Sequence, residues 1–199
     1  LLGCHVTGLS LRPSTDPALF EIGGISALCE SHLVDIRNVK KVIGLVEKVQ
    51  PEVVFHLAAQ ALVRQGYRDP IDTFSTNTMG TVNILEAVRS TNSVKAMVMV
   101  TTDKVYRNTA RPKPYKEDDT LGGDDPYSAS KTASEHIISS YTNAFLRSQG
   151  VAVASARAGN VIGGGDWAPE RLIPDAIRAW SDNRSLEVRH PESIRPWQH

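Results

Sequence analysis

Short apolar runs alternate along the chain with stretches in which apolar residues recur every three to four positions. Runs that are apolar at successive positions are typical of strands covered by helices on both faces. Four such runs are Val6 to Leu11, Val53 to Leu57, Ala96 to Thr101 and Val151 to Ala156. Strands that alternate with amphipathic helices predict an α/β fold with a doubly wound, mostly parallel sheet.

Three helices between these runs are predicted from periodicity and capping residues. Asp69-Pro70 and Asp125-Pro126 each combine an N-cap with a proline in the first turn, and Gly150 is expected to end the helix that Asp125 begins. A further helix spans Val39 to Val49, with one stripe formed by Val42, Ile43, Val46 and Val49. The buried line of the Asp69 helix is predicted to be Phe74, Thr78, Val82, Leu85 and Val88.

The two ends of the chain do not match a complete Rossmann sheet. Such a sheet begins with a strand and a glycine-rich turn that holds a pyrophosphate, whereas Leu1-Leu2-Gly3 resembles the end of a first helix and Cys4 to Leu11 a second strand. We therefore expect a Rossmann fold that lacks the first strand and glycine-rich turn. The 199 residues are interpreted as the central part of a longer protein.

Composition excludes several classes of partner. The 22 basic and 22 acidic residues balance, so no nucleic acid or anionic membrane surface is predicted as the main partner. No apolar run approaches the ~20 residues of a membrane span. Cys4 and Cys29 match no metal-ligand spacing, and no metal is predicted. Two cysteines fit a reducing, cytoplasmic setting better than a disulfide scaffold.

Candidate chemistry lies at the end of one strand and the start of the next helix. The strand ends in Thr102, Asp103 and Lys104, and the helix begins with Tyr127 and Lys131, four residues apart on one face. A cation one turn away stabilises a phenolate, which lets a tyrosine accept a proton from a hydroxyl. A lone Tyr-x-x-x-Lys is usually an ordinary helix start. The strand-end threonine and the small residues between the pair favour a hydride-transfer site with an added acid and base.

On these residues the chain resembles the extended short-chain dehydrogenase/reductase family. The resemblance implies that Thr102 hydrogen-bonds the substrate hydroxyl and acts with Tyr127 and Lys131 as catalytic residues. Asp103-Lys104 is similar to the pair found in sugar-nucleotide 4,6-dehydratases, above all the CDP-glucose 4,6-dehydratases. Further matching landmarks, in the expected order, are Pro17 to Glu21, His56 to Gln60, Arg157 to Trp167, Arg171 to Asp175 and Arg195 to His199.

The resemblance also implies a nicotinamide cofactor. Asp35 would bind the adenine amino group and Ile36 would cover the ring, while Asn77 would order the catalytic lysine through water. A close approach of backbone to the ribose and diphosphate is expected at Leu57, Ala58, Ala59 and Gln60. Tyr127 and Lys131 would also contact the cofactor. NAD is favoured, but Arg12 after the second strand is the type of residue that neutralises a 2′-phosphate, so NADP stays open.

A nucleoside-diphosphate hexose is the implied substrate. Residues 1–160 are interpreted as the partial NAD-binding domain and residues 161–199 as the start of the sugar-nucleotide-binding region. Arginine suits a diphosphate because its planar fork binds two oxygens. The implied substrate-binding residues are Asn160, Arg171, Leu172, Ile173 and Arg195. Gly163-Gly164-Gly165 is interpreted as a flexible loop, and the base of the nucleotide stays open.

The implied reaction is a dehydration with no net change of oxidation state. Tyr127 takes the proton of the 4-hydroxyl as hydride leaves C4, Lys104 removes the C5 proton, Asp103 protonates the departing 6-hydroxyl, and hydride returns to C6. A same-fold epimerase or reductase and a non-catalytic nucleotide-sensing module are the alternatives. A homodimer is expected through the helices Ile71 to Arg89 and Tyr127 to Arg147, which carry the additional apolar residues Ile84, Ile137, Ile138 and Phe145.

Overall fold

A computed structural model describes residues 3–109 and 113–199 of the chain. The strands are β1 Thr7–Ser10, β2 Glu30–Leu33, β3 Val53–His56, β4 Ala96–Val100, β5 Ala152–Ala156, β6 Asn160–Val161 and β7 Trp197–Gln198. The α-helices are α1 Leu19–Ile22, α2 Val39–Val49, α3 Val63–Arg68, α4 Pro70–Phe74, α5 Gly80–Arg89, α6 Pro126–Tyr141 and α7 Leu172–Ser181. Two 3₁₀ turns span Ile25–Ala27 and Asp103–Val105, and two π-helical segments span Ser75–Met79 and Thr142–Leu146.

The chain divides into two compact units. One comprises Leu1–Leu33 together with Gly159–His199, and the other comprises Val34–Ala158. We call them the outer unit and the central unit. This division is one of compactness, and the predicted functional boundary at residue 160 stays a prediction.

The central unit is built on a three-stranded sheet. The strand order is β3-β4-β5, and both pairs are parallel. The remaining ladders, β1 with β2 and β6 with β7, are parallel as well. Helices α2, α5 and α6 lie between these strands in sequence, and α5 packs against both α2 and α6. The predicted α/β fold with parallel Rossmann connections is confirmed.

The two faces of the central sheet differ in burial. Met97 and Met99 of β4 are buried, and so is His56 of β3, whereas Val53 and Phe55 are 51% and 65% exposed. Successive side chains of a strand point to opposite faces, so these two sets lie on opposite sides of the sheet. The expectation that both faces are covered is therefore wrong for β3. The run Val53 to Leu57 is apolar at nearly every position, but the described helices cover only the face of the sheet that carries His56.

The predicted helix ends are confirmed where a side chain caps them. Helix α2 has the predicted bounds, and its N-cap Asn38 accepts a hydrogen bond from the Lys41 amide. The Asp69 side chain accepts from the Asp72 amide at 2.9 Å, ahead of Pro70 at the first helical position. Such caps act within one helical turn, which is why the local sequence is sufficient to predict them.

The predicted buried line of the Asp69 helix is interrupted. Leu85 and Val88 are fully buried, but Phe74 is 39% exposed. Between them the π-helical segment Ser75–Met79 closes its turns over five residues instead of four. The extra residue rotates α4 relative to α5, so the prediction is wrong for Phe74.

The outer unit holds both short two-stranded ladders. Asn160 and Val161 of β6 pair with Trp197 and Gln198 of β7. Leu1 and Leu2, predicted to end a helix, lie outside the described residues. In residues 3–109 and 113–199, no helix is long and apolar enough to cross a membrane.

Candidate active site

The carboxyl end of β4 presents Thr102 and the residues that follow it. Thr102 is 6% exposed and its backbone is extended. Its hydroxyl donates to Asp103 Oδ1 at 3.2 Å and accepts from the Lys104 amide at 3.4 Å. The threonine thus caps the 3₁₀ turn Asp103–Val105, which fixes the acidic and basic side chains beside the strand end.

Helix α6 begins with the candidate tyrosine. The Asp125 carboxylate accepts from the Ser128 amide at 3.0 Å and from the Ser128 hydroxyl at 2.6 Å. Gly123 permits the close approach of this turn, because a Cβ at that position would lie 2.7 Å from backbone atoms of Ser128 and Ala129. Tyr127 is consequently held in the first turn of the helix and is 9% exposed.

The structure brings the candidate base and the candidate tyrosine together. The Lys104 Nζ atom lies 5.8 Å from the centroid of the Tyr127 ring. This distance is within the range of a cation-π contact. Two residues that are 23 positions apart in sequence therefore share one site at the end of β4.

Lys131 is buried beneath this site. It is 3% exposed, and its Nζ atom donates to the Val100 carbonyl oxygen at 2.8 Å. Burial lowers the pKa of Lys131 to about 8, although the Glu135 carboxylate acts in the opposite direction. The ammonium group is thus fixed at the last residue of β4.

Sequence reasoning missed a cluster around Glu135, one turn beyond Lys131 on α6. The Glu135 carboxylate accepts hydrogen bonds from Thr101 at 2.5 Å, Ser155 at 3.1 Å and Arg157 at 3.0 Å. Burial pushes the pKa of Glu135 upward, but the hydrogen bonds from Arg157 and Thr101 outweigh it and hold the pKa below its usual value. The four-residue spacing of Lys131 and Glu135 was the available signal.

His56 is a second buried group that the sequence did not single out as a site residue. It is 5% exposed, with its Nε2 atom 3.4 Å from the Thr81 hydroxyl. Burial lowers the pKa of His56 to about 4, and the charge of Lys131 acts in the same direction. An uncharged imidazole therefore lies near the candidate lysine.

Asn77 joins the segment after β3 to helix α6. Its side-chain oxygen accepts from the Gln60 amide at 2.8 Å, and its side-chain nitrogen donates to the Gln60 carbonyl at 3.0 Å and to Ser130 Oγ at 2.9 Å. The Ser130 hydroxyl in turn donates to the carbonyl oxygen of Tyr127 at 2.7 Å. Asn77 thus positions the tyrosine's turn directly, and its predicted action on Lys131 through water stays a prediction.

The two residues predicted at the adenine differ in their surroundings. Asp35 is partly exposed, and its carboxylate accepts side-chain hydrogen bonds from Nε and Nη2 of Arg37, which lower its pKa. Ile36 is 5% exposed. A Cβ on Gly80 would lie 2.4 Å from Ile36 Cδ1, so this glycine makes room for the isoleucine. The buried Ile36 fixes the backbone beside the partly exposed carboxylate.

The segment predicted to approach a ribose and diphosphate follows β3. Leu57 is 67% exposed, while Ala58, Ala59 and Gln60 are partly buried. Gln60 is held by its bonds to Asn77 and by a side-chain hydrogen bond to Thr73 Oγ1 at 2.9 Å. Small side chains at 58 and 59 keep this backbone accessible.

The predicted substrate residues belong to the outer unit. Asn160 lies on β6, and its backbone amide donates to the Pro196 carbonyl at 3.0 Å. Pro196 directly follows the exposed Arg195 in sequence. Arg171 precedes α7, and its Nε atom is buried with no hydrogen-bond partner among the described residues. Leu172 and Ile173 are 45% and 41% exposed. Arg12, after β1, is exposed.

A family model described as GDP-mannose 4,6 dehydratase matches residues 21–199. The chain belongs to this family. Two relatives illustrate the range of similarity. The chain is 48% identical to a CDP-glucose 4,6-dehydratase of Salmonella typhimurium, over all of the chain and 56% of that protein. It is 33% identical to a CDP-paratose 2-epimerase of Salmonella typhi, over 78% of the chain and 48% of that protein.

Solved structures related to the GDP-mannose 4,6-dehydratase family confirm the fold. A dTDP-glucose 4,6-dehydratase from Streptomyces venezuelae, described as a double mutant with NAD bound, superposes with a TM-score of 0.84. The match has 24% sequence identity and covers 99% of this chain and 59% of that one. The chain thus spans about half the length of the relatives that it matches.

Proposed function

We propose that the chain carries the catalytic residues of a nucleoside-diphosphate-hexose 4,6-dehydratase, with CDP-glucose as the favoured substrate. The observation that carries this proposal is the placement of Asp103 and Lys104 beside Thr102 and Tyr127. An oxidation alone needs neither an extra acid nor an extra base, whereas a dehydration needs both. The 48% identity to a CDP-glucose 4,6-dehydratase supports the choice of substrate.

The central unit has features that fit a nicotinamide cofactor. Lys131 lies buried at the end of β4, and Ala58 and Ala59 leave the backbone after β3 accessible. NAD, when bound, would accept a hydride from the sugar and return it. We favour NAD because a cofactor that is regenerated in each cycle stays on the enzyme. The exposed Arg12 makes NADP the competitor to test in a binding titration.

The remaining steps are proton transfers by residues of this chain. Tyr127 takes the proton of the sugar 4-hydroxyl, which Thr102 orients, and the charged Lys131 stabilises the phenolate. The resulting 4-ketone acidifies the C5 proton, which Lys104 removes. Asp103 donates a proton to the 6-hydroxyl as it departs as water. Thr102 serves both halves of the reaction because its hydroxyl also contacts Asp103.

Arginines of the outer unit are proposed to bind the diphosphate. The buried Nε of Arg171 has no partner among the described residues, and such a donor gains from an anionic acceptor. Arg195 is exposed and Asn160 is partly exposed, so both side chains are accessible to a ligand. This supports the sugar-nucleotide role of residues 161–199.

A homodimer is also proposed, through part of the predicted helix pair. Ile84 and Ile138 are 9% and 5% exposed and belong to the core, whereas Phe145 is 42% exposed and Ile137 is partly exposed, so these two stay candidate contacts. Ile71 and Met79 are 81% and 51% exposed. Both line one apolar depression along the helical stretch that begins at Pro70. Light scattering should report twice the monomer mass, and Ile71→Asp should shift the protein toward monomer.

The decisive test of the function uses Asp103→Asn and Lys104→Ala. Each removes one group of the dehydration while leaving Tyr127 and Lys131 in place. We expect the loss of ~10²–10⁴-fold in formation of the 4-keto-6-deoxy product. In a single turnover, reduced nicotinamide should accumulate at its absorption band, because the first oxidation is intact. Asp118→Asn and Lys40→Ala, at exposed positions, are the matched controls.

A different outcome would select another member of the fold. If both variants form the 6-deoxy product at the unsubstituted rate, the dehydratase proposal is wrong. A 4-epimer or a reduced sugar as the product would identify an epimerase or a reductase. If no sugar nucleotide turns over, the nucleotide-sensing alternative takes its place.

A further inference from the structure

Glu135 is a buried carboxylate for which the proposed reaction has no use. It is 6% exposed and lies four residues after Lys131, on the same face of α6. Its partners come from the ends of two strands, Thr101 after β4 and Ser155 on β5, and from Arg157. A buried carboxylate with this many donors is fixed in place and ionised.

Lys131 and Glu135 bind consecutive residues of the same strand end. Lys131 donates to the carbonyl of Val100, and the hydroxyl of Thr101 donates to Glu135. The two charges are thus fastened to the backbone stretch that leads directly into Thr102. Because a carbonyl oxygen carries no net charge, Val100 alone does not offset the cost of burying an ammonium group.

We propose that Glu135 is a positioning residue, whose carboxylate keeps the Lys131 ammonium group charged and aligned at the end of β4. The inference rests on the proposed role of Lys131. It assigns the charge balance of the site to a residue outside the Thr-Tyr-Lys set. Arg157 pairs with the second oxygen of Glu135 at 3.0 Å, so one carboxylate serves two cationic side chains.

The charges around Lys131 predict how the removal of Glu135 should change the pKa of Lys131. Burial lowers the pKa of Lys131 to about 8, and Glu135 is the group that raises it. His56, from β3, is coupled to Lys131 electrostatically but stays uncharged in the range where Lys131 titrates. The other ionisable side chains of the site are Tyr127 on α6, Asp103 and Lys104 after β4, and Arg157 after β5. Without Glu135, Lys131 should lose its proton at lower pH.

The test measures the titration of Lys131 directly. In protein labelled with ¹³C-lysine, the Lys131 Cε resonance is assigned by its loss in Lys131→Arg and followed across pH. The midpoint should lie near 8 and fall by about one pH unit in Glu135→Gln. Glu135→Asp, which retains the charge, should restore most of the shift. The alkaline limb of kcat should move by the same amount, with little change in KM.

A matched control separates charge from structure. Ser155→Ala removes one hydrogen bond to the same carboxylate and leaves its charge, so the Lys131 midpoint should not move. A merely structural role predicts that Ser155→Ala and Glu135→Gln lower the unfolding temperature while both leave the Lys131 midpoint unchanged. That pattern would overturn the proposal.

A second variant covers the case in which Glu135→Gln does not fold because Arg157 loses its partner. Glu135→Gln with Arg157→Met removes both charges, and the Lys131 midpoint should still fall because Glu135, and not Arg157, is among the groups that shift the pKa of Lys131. An unchanged midpoint in the double variant also contradicts the proposal. The Lys131 titration needs no turnover. The proposal on Glu135 can therefore be tested even if the Asp103 and Lys104 variants contradict the dehydratase proposal.

Discussion

The proposed catalytic residues and the proposed substrate residues are held in opposite ways. Thr102, Tyr127 and Lys131 are each less than 10% exposed. Leu172 and Ile173 are more than 40% exposed, and the buried Nε of Arg171 lacks a partner in the described part of the chain. The first group is positioned by contacts within the protein, and the second is accessible to the proposed ligand.

The difference in exposure indicates what positions the side chains of each group. Proton transfer depends on alignment within fractions of an ångström, which packing and internal hydrogen bonds supply before any ligand arrives. Binding of a flexible diphosphate tolerates side chains that order on contact. Substitutions in the two groups should therefore affect different quantities.

The largest effect is expected for Tyr127→Phe. Loss of the phenol should reduce kcat by ~10²–10⁴-fold, because Tyr127 is the proposed base for the 4-hydroxyl proton, whereas Lys104 is assigned to the C5 proton. Cofactor binding should be nearly unchanged, since the ring still packs. Steady-state assays and a cofactor titration measure the two quantities. Tyr67→Phe, at a position that is 66% exposed, is the control, and full activity of Tyr127→Phe would remove it from the mechanism.

Asn77→Ala should show that the buried group depends on internal hydrogen bonds. The substitution leaves the amide and carbonyl of Gln60 without their partner, at a position that is 1% exposed. We expect the free energy of unfolding to fall by about 3 kcal/mol. Urea denaturation measures it. Asn143→Ala, which removes an exposed hydrogen bond to Ser139, should cost less than about 0.5 kcal/mol. Equal losses in the two variants would contradict the comparison.

His56 should make stability depend on pH in the acid range. Its pKa is about 4 in the folded protein, below its ordinary value of 6.5, because burial disfavours the charged form. The stabilisation is therefore complete above pH 6.5 and is lost as pH falls toward 4, by about 2 kcal/mol between pH 6.5 and 5. Denaturation at several pH values measures the slope. His56→Gln should flatten it, and substitution of the exposed His136 should not.

The smallest effect is expected for Arg171→Ala, and it should be confined to binding. Loss of a charge-assisted contact should raise KM for the sugar nucleotide about tenfold, with kcat and unfolding temperature nearly unchanged. Arg184→Ala, an exposed residue of the same unit that pairs with Asp182, is the control. A fall in unfolding temperature without a change in KM would assign Arg171 to the fold instead.

The features that the sequence predicted well are the ones encoded over a few neighbouring residues. The caps at Asp69 and Asp125 depend on one helical turn, and the bounds of α2 depend on one periodic stripe. Thr102 and Tyr127 were predictable because each belongs to a short motif of neighbouring residues, Thr102 to Lys104 and Tyr127 to Lys131. The site's position at the end of β4 follows from the parallel sheet.

The features that it missed depend on pairs that only the fold brings together. Arg157 lies 22 residues after Glu135, and nothing local distinguishes it from a surface arginine. The same holds for His56 and Thr81, which meet across 25 positions. Phe74 was misplaced for another reason, because a periodicity of 3.6 residues contains no provision for a five-residue turn.

The π-helical segment Ser75–Met79 has a consequence for how this helix tolerates change. It holds one residue more than a regular helix of the same course, and Asn77 lies within it. Deleting one of its residues other than Asn77 would restore a regular turn and leave α4 and α5 in their present orientation. The same deletion within α5 would turn one side of that helix by about 100° and move Leu85 or Val88 out of the core. A one-residue gap should therefore be tolerated better in this segment than in α5.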